Sequence, residues 1–155
     1  METINVQEIV FEKLKEDLVH IFQTKEDIIL AYLFGSYLRG KIGGRHDIDI
    51  AILIEPIFFN TLQKGQTYRY EAELVAELMR LLKHNRVDLV ILNKATPLLA
   101  YEVIHNGILL LSKEKDQKIK FEIFSLKRHA DTKRLRDIKR IYMNERITKG
   151  LDAYV

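Results

Sequence analysis

Two aspartates stand two positions apart where an apolar segment begins, in the sequence Asp47-Ile48-Asp49. If this segment is a β-strand, residues i and i+2 project from the same face, so the two carboxylates lie side by side. Such charges repel each other, and Mg²⁺, a hard cation that prefers carboxylate oxygens, relieves the repulsion. The pair is therefore either a magnesium site or the solvent-facing start of a strand, and the Asp-x-Asp pattern alone favours the second interpretation.

Gly35 and Ser36 directly follow another apolar segment, with ten residues between Ser36 and the first of these aspartates. A strand that runs into Gly-Ser and then a short helical turn presents backbone N–H groups and a hydroxyl, a geometry that receives phosphate. Arg39 follows three residues later, and its guanidinium can hold a phosphate oxygen. The alternative interpretation is an ordinary helix N-cap followed by a surface arginine.

A third carboxylate, Asp88, lies within the apolar segment 87–92. Burying a carboxylate among apolar residues is costly unless it is paired or coordinates a metal. Asp88 completes a three-carboxylate set if its strand neighbours that of Asp47. Otherwise it is an acid at a strand edge, paired with Arg86 or Lys94.

In combination, these residues resemble the signature of the minimal nucleotidyltransferases of the DNA polymerase beta superfamily. The resemblance covers about residues 25–112, and His46 departs from it, because the family usually has a small hydroxyl residue before the first aspartate. The stretches that carry it are Leu33-Phe34-Gly35-Ser36-Tyr37-Leu38-Arg39-Gly40, then after six residues Asp47-Ile48-Asp49-Ile50-Ala51, and finally Val87-Asp88-Leu89-Val90.

The resemblance implies roles for single residues. Asp47 and Asp49 would coordinate two magnesium ions, and Asp88 would hold one of them and help to activate the attacking hydroxyl. Gly35 and Ser36 would bind the β- and γ-phosphates of a nucleoside triphosphate. The hydroxyl would attack the α-phosphorus in line, and pyrophosphate would leave.

The chain length narrows the choice within that superfamily. With 155 residues there is no room for the nucleic-acid-binding domains of polymerases, and aminoglycoside nucleotidyltransferases usually add a helical domain. The chain thus resembles the minimal nucleotidyltransferase (MNT) encoded beside a helical HEPN ribonuclease, the antitoxin of a type VII toxin–antitoxin system. That resemblance implies transfer of AMP from ATP to a tyrosine of the HEPN toxin. Two alternatives stay open: an antitoxin that only binds its toxin, and a small-molecule nucleotidyltransferase acting on an antibiotic hydroxyl.

The elements that must position these residues follow from hydrophobic patterning. We predict an α/β (α+β) nucleotidyltransferase fold with a small mixed sheet flanked by helices. A long C-terminal helical extension follows, as one helix or two. We divide the chain into a minimal nucleotidyltransferase core, residues 1–112, and a partner-binding helical extension, residues 113–155. Both belong to the same compact unit. The predicted helices are 6–22, 67–83, 97–106 and a segment from about 115 to 147; the predicted strands are 28–34, 47–54, 87–92 and 108–111; and 41–45 is a predicted loop.

Composition excludes several classes and marks the extension. The absence of cysteine excludes a disulfide framework and a thiolate zinc site. No apolar run approaches the roughly 20 residues that span a bilayer, so we expect a cytoplasmic protein without membrane contact. Residues 113–149 hold 13 Lys or Arg against 6 Asp or Glu. This basic stretch is either a solvated helix face or a surface for an acidic partner or the RNA that the toxin cuts. Of these partners we expect the HEPN toxin. The chain would form a homodimer or a hetero-oligomer with the toxin, and we expect no direct binding of nucleic acid.

Overall fold

The computed structural model describes residues 6–39 and 46–152, so the predicted loop over 41–45 lies outside the described residues. Its centre is a four-stranded sheet in the order β3-β2-β1-β4. Strand β1 is antiparallel to both β2 and β4, whereas β2 is parallel to β3, so the sheet is mixed, as predicted. The strands are β1 Ile28–Phe34, β2 Ile48–Ile54, β3 Val87–Ile91 and β4 Ile108–Ser112.

Helices cover both faces of this sheet. Helices α1 and α3 pack on one face through residues such as Leu18 and Leu78, and α4 and α5 pack on the other through Val103 and Phe121. Strands β1 and β2 are buried on both faces, which is why they read as nearly continuous apolar runs. The helices are α1 Val6–Gln23, α2 Pro56–Thr61, α3 Lys64–Leu82, α4 Pro97–Asn106, α5 Lys115–Asp131 and α6 Lys133–Asp152.

The short helical turn after β1 was anticipated from Gly35 and Ser36. Helix α2 and a second short turn, after β3, were not predicted. The turn Ser36–Arg39 follows β1, and the turn Leu92–Lys94 follows β3. Helix α2 begins at Pro56, and the Glu55 carboxylate accepts a 2.7 Å hydrogen bond from the Phe58 N–H. An acidic N-cap followed by proline is a helix start, so the signal was present in the sequence.

The C-terminal extension is two helices rather than one. The break is at Thr132, whose hydroxyl donates to the Arg128 carbonyl at 2.9 Å and accepts from the Arg136 guanidinium at 2.5 Å. Helix α5 lies against the core, and the Tyr32 hydroxyl donates to Glu122 at 3.2 Å. No described side chain of α6 is buried. No helix in the described ranges combines the length and the apolarity needed to cross a bilayer.

Candidate active site

Strands β2 and β3 bring two of the three aspartates together. In their parallel register, Asp49 is the direct partner of Asp88. Alternation along each strand puts the inward-facing Ile48 and Ile50 in the core beneath α1 and α3, so Asp49 projects from the opposite face. Asp88 alternates in the same way and is exposed. The condition set by the sequence, that the strand of Asp88 must neighbour that of Asp47 and Asp49, is met.

The turn after β1 closes onto the same carboxylate. Phe34, the last residue of β1, is the register partner of Asp49, so Gly35 and Ser36 follow directly beside it. Gly35 has a φ of +83°, a conformation that glycine adopts without the steric cost of a side chain. The backbone N–H of Ser36 donates a hydrogen bond to the Asp49 carboxylate. The Gly-Ser turn and the Asp-x-Asp motif are therefore one structural unit.

Asp49 is electrostatically unfavourable as a carboxylate. Its pKa is raised, first by burial, then by the negative charges of Asp88 and Asp47, while the hydrogen bond from Ser36 lowers it. Each of the three causes that raise the pKa disfavours the ionised form. A cation close to Asp49 would favour the ionised form and so oppose this shift of the pKa.

Asp47 stands just before β2 and is half-exposed. Its Oδ1 lies 3.9 Å from Nη1 of Arg86, and both side chains are largely open to solvent. Lys94, which the sequence offered as a partner for Asp88, lies with its Nζ 2.7 Å from Glu71 Oε2. Lys94 therefore does not pair with Asp88, and this purely structural explanation for Asp88 does not apply.

The donor chemistry of the three aspartates fits magnesium, because Mg²⁺ binds through one or two carboxylates together with water and substrate phosphates. Within residues 6–39 and 46–152, however, no three carboxylate or histidine side chains converge as a group that could hold a metal ion. Asp49 and Asp88 are register partners, and the side chains of Asp47 and Asp88 are both exposed. The set fits as ligands that share an ion with a substrate, and not as a closed protein cage.

A cleft of about 620 Å³ opens beside the Gly-Ser turn, within the range of volumes that small-molecule sites occupy. Arg39 ends the turn Ser36–Arg39 that borders it. The cleft is also lined by Glu102 and Asn106 of α4, whose side chains are joined by a 2.7 Å hydrogen bond. Sequence reasoning missed these two residues, since they carry no motif and only the packing of α4 brings them here. Their spacing of four on a predicted helix was the single available signal.

Comparisons with known proteins agree with this arrangement. Residues 16–116 match the family described as "Polymerase beta, Nucleotidyltransferase", and no curated protein matches the chain. A chain in a crystal structure of a toxin–antitoxin with AMP-PNP is 25% identical, with a TM-score of 0.63 over 86% of this chain and 98% of that chain. A chain in the complex of tri-AMPylated Shewanella oneidensis HEPN toxin with MNT antitoxin is also 25% identical, with a TM-score of 0.57 over 92% and 99%. A toxin–antitoxin MntA–HepT structure is 22% identical, with a TM-score of 0.60 over 88% and 98%.

Proposed function

Because the chain belongs to the polymerase beta nucleotidyltransferase family, we propose that it is an MNT antitoxin that transfers AMP from ATP to a tyrosine of its HEPN toxin. The similarity to the complex of an AMPylated HEPN toxin with its MNT antitoxin supports both the partner and the group transferred. The similarity to a complex with AMP-PNP supports ATP as the nucleotide. The reaction then takes place in the cytoplasm, where ATP is available.

One observation carries the proposal. The register of β2 and β3 sets Asp49 beside Asp88, and the Gly35-Ser36 turn donates a hydrogen bond to that same Asp49. The Gly35-Ser36 turn and a pair of carboxylates therefore lie at the same end of the sheet, and this supports a site for a nucleoside triphosphate. A structural Asp-x-Asp at the start of a strand would not need a turn of this kind pressed against it.

The proposed reaction is an in-line displacement at the α-phosphorus. The tyrosine oxygen forms a bond to phosphorus, the bond from that phosphorus to the bridging oxygen of the β-phosphate breaks, and pyrophosphate leaves. Two magnesium ions held by Asp47, Asp49 and Asp88 would neutralise the charge that develops on the entering and leaving oxygens. The turn at Gly35 and Ser36, together with Arg39, would orient the triphosphate, and the exposed carboxylate of Asp88 would help to activate the tyrosine hydroxyl by accepting its proton. Positioning and charge compensation suffice for this class of reaction.

Intact-mass spectrometry tests the proposal directly. The protein encoded beside this chain, which we expect to be a HEPN-domain toxin, is incubated with the chain, ATP and Mg²⁺, and we expect its mass to rise by whole AMP units. Asp49→Asn should abolish the gain, and peptide mapping should locate AMP on tyrosine. A stable complex with no gain in mass would refute the transfer and leave an antitoxin that acts by binding. In a parallel incubation with an aminoglycoside, AMP found on the drug and none on the HEPN protein would show that the substrate is a small molecule instead.

A further inference from the structure

A second cavity lies on the same face of the sheet as the aspartates, at the other end of the strands. Its volume is about 660 Å³, and its floor includes Ile29 and Leu53, which are buried in the core. Leu53 is four residues along β2 from Asp49, which is about 13 Å at the rise of a strand. The cavity has no lining residue in common with the cleft beside Gly35, so nothing in the proposed chemistry accounts for it.

One complete face of α5 forms a wall of this cavity. The six residues recur at the spacing of a single helix face and extend over about 16 Å. Phe124, at the rim, is 56% exposed, and Ile57 of α2, across the cavity, is 76% exposed. Large apolar side chains that continue outside a cavity suit a polypeptide better than a small molecule. The residues of this face are Gln117, Lys120, Phe121, Phe124, Ser125 and Arg128.

Two cationic groups and one acceptor of this groove have no partner of opposite character within the part of the chain that the structure describes. Among the described residues, neither Lys120 nor Arg128 forms an ion pair, and Arg128 lies over the Phe124 ring at 5.4 Å. The carboxylate of Glu55, which also lines the groove, caps α2. Oε1 of Gln117 is buried and has no hydrogen-bond partner within residues 6–39 and 46–152. The groove thus offers an apolar floor, two positive charges and one unpaired acceptor.

We propose that this groove binds a segment of the partner toxin in which an apolar side chain is flanked by carboxylates. The inference rests on the proposed function, since it assumes that the partner is the HEPN toxin. The apolar side chain would fill the cavity, the carboxylates would pair with Lys120 and Arg128, and a hydrogen-bond donor would satisfy Gln117. A second copy that presents its own residues 113–149 is a poor occupant, because this stretch carries 13 basic and 6 acidic residues and two such surfaces repel each other.

Calorimetric titration of the full chain with the HEPN-domain protein tests this inference. The double variant Lys120→Glu/Arg128→Glu should bind the toxin with an affinity lower by about tenfold or more. The control Lys115→Glu/Lys127→Glu changes the net charge equally on the same helix, at exposed positions that do not line the groove. Its affinity should stay within about twofold of the wild type, because isolated surface charges contribute little. Circular dichroism verifies that each variant is folded.

The outcomes separate this inference from the proposed chemistry. Equal affinity of the groove variant and the wild type, or equal weakening by both charge-reversed pairs, would overturn the docking site and leave AMP transfer untouched. A dimer of the chain that the groove variant dissociates would make a second copy the occupant and also overturn it. Groove-dependent binding without any AMP transfer would support the docking site and refute the transfer. Asp49→Asn, which should lose transfer and keep binding, verifies that the two measurements are independent.

Discussion

A β-carbon at position 35 would lie 2.0 Å from Oδ2 of Asp49. Real β-carbons do not approach another atom so closely, so a side chain at position 35 would have to displace this carboxylate. The positive φ of Gly35 adds a second requirement for the same residue type. One glycine therefore allows the Gly35-Ser36 turn and the carboxylate of Asp49 to occupy the same end of the sheet.

Gly35→Ala should damage both stability and activity. A left-handed conformation costs a residue with a β-carbon about 1–2 kcal/mol, and the added carbon also displaces the Asp49 side chain. We expect the free energy of unfolding in urea to fall by at least this amount, and AMP transfer to fall by about 10–100-fold, as for loss of a group that orients a metal ligand.

Gly65 provides the matched control for that substitution. A β-carbon at position 65 meets no atom within 4 Å, and the residue lies in α3. Gly65→Ala should therefore stabilise the protein by about 0.5–1 kcal/mol, the usual difference within a helix, with unchanged transfer. If Gly35→Ala behaved like Gly65→Ala, the close approach to Asp49 would be wrong.

Asp49→Asn should abolish transfer without destabilising the protein. Since the folded-state pKa of Asp49 is raised, ionisation of this group opposes folding, and its cost is present in full above the raised pKa. The cost disappears as pH falls to the ordinary pKa of aspartate, where both folded and unfolded chains bind the proton. In EDTA, the variant should be at least as stable as the wild type at neutral pH, and the two curves of stability against pH should converge in acid. A variant less stable than the wild type at neutral pH would indicate a structural aspartate.

The causes of the raised pKa can be ranked by titration. Burial is the largest, the charge of Asp88 is second and that of Asp47 is third. Carbon-13 NMR of the Asp49 carboxyl in EDTA should therefore show a lower pKa in Asp88→Asn than in Asp47→Asn. In the double variant the pKa should still stand above its ordinary value, because burial persists. The reverse order of the single variants would contradict the strand register that pairs Asp49 with Asp88.

The strands and most helices could be predicted from the sequence, because strands buried on both faces read as apolar runs and the buried faces of helices recur with the helical period. Continuous apolar runs predicted β1 and β2, and Pro97 with Gly107 marked α4 at both ends. Helix α2 was missed because its six residues are too few to show a periodic pattern. The break at Thr132 was left open because it depends on hydrogen bonds of a threonine with Arg128 and Arg136, and sequence patterning does not report them.

The site was predictable to the extent that its residues lie in local motifs. Gly35, Ser36, Asp47 and Asp49 follow one another along the chain, so their spacing already suggested a shared site. Whether Asp88 joins them depends on strand order, a long-range property that the sequence stated only as a condition. Glu102 and Asn106 were not predicted as site residues, because only the packing of α4 brings them to the cleft. The roles of all these residues in AMP transfer, and of Arg39 at the end of its turn, stay predictions.

Ending the chain after Thr132 tests how the extension divides. Helix α6 has no buried side chain among those described, so its removal should change the free energy of unfolding by less than about 1 kcal/mol, as expected for surface residues.

Ending the chain after Ser112 also removes α5. This takes Phe121 from the core and Glu122 from Tyr32, and it should cost several kcal/mol, on the order of an aromatic truncation. We expect the first truncation to remain folded by circular dichroism, to lose the helical signal of α6, and to bind the toxin more weakly. Unfolding of the first truncation would show instead that α6 belongs to the folded core, and unchanged toxin affinity would remove α6 from the interface.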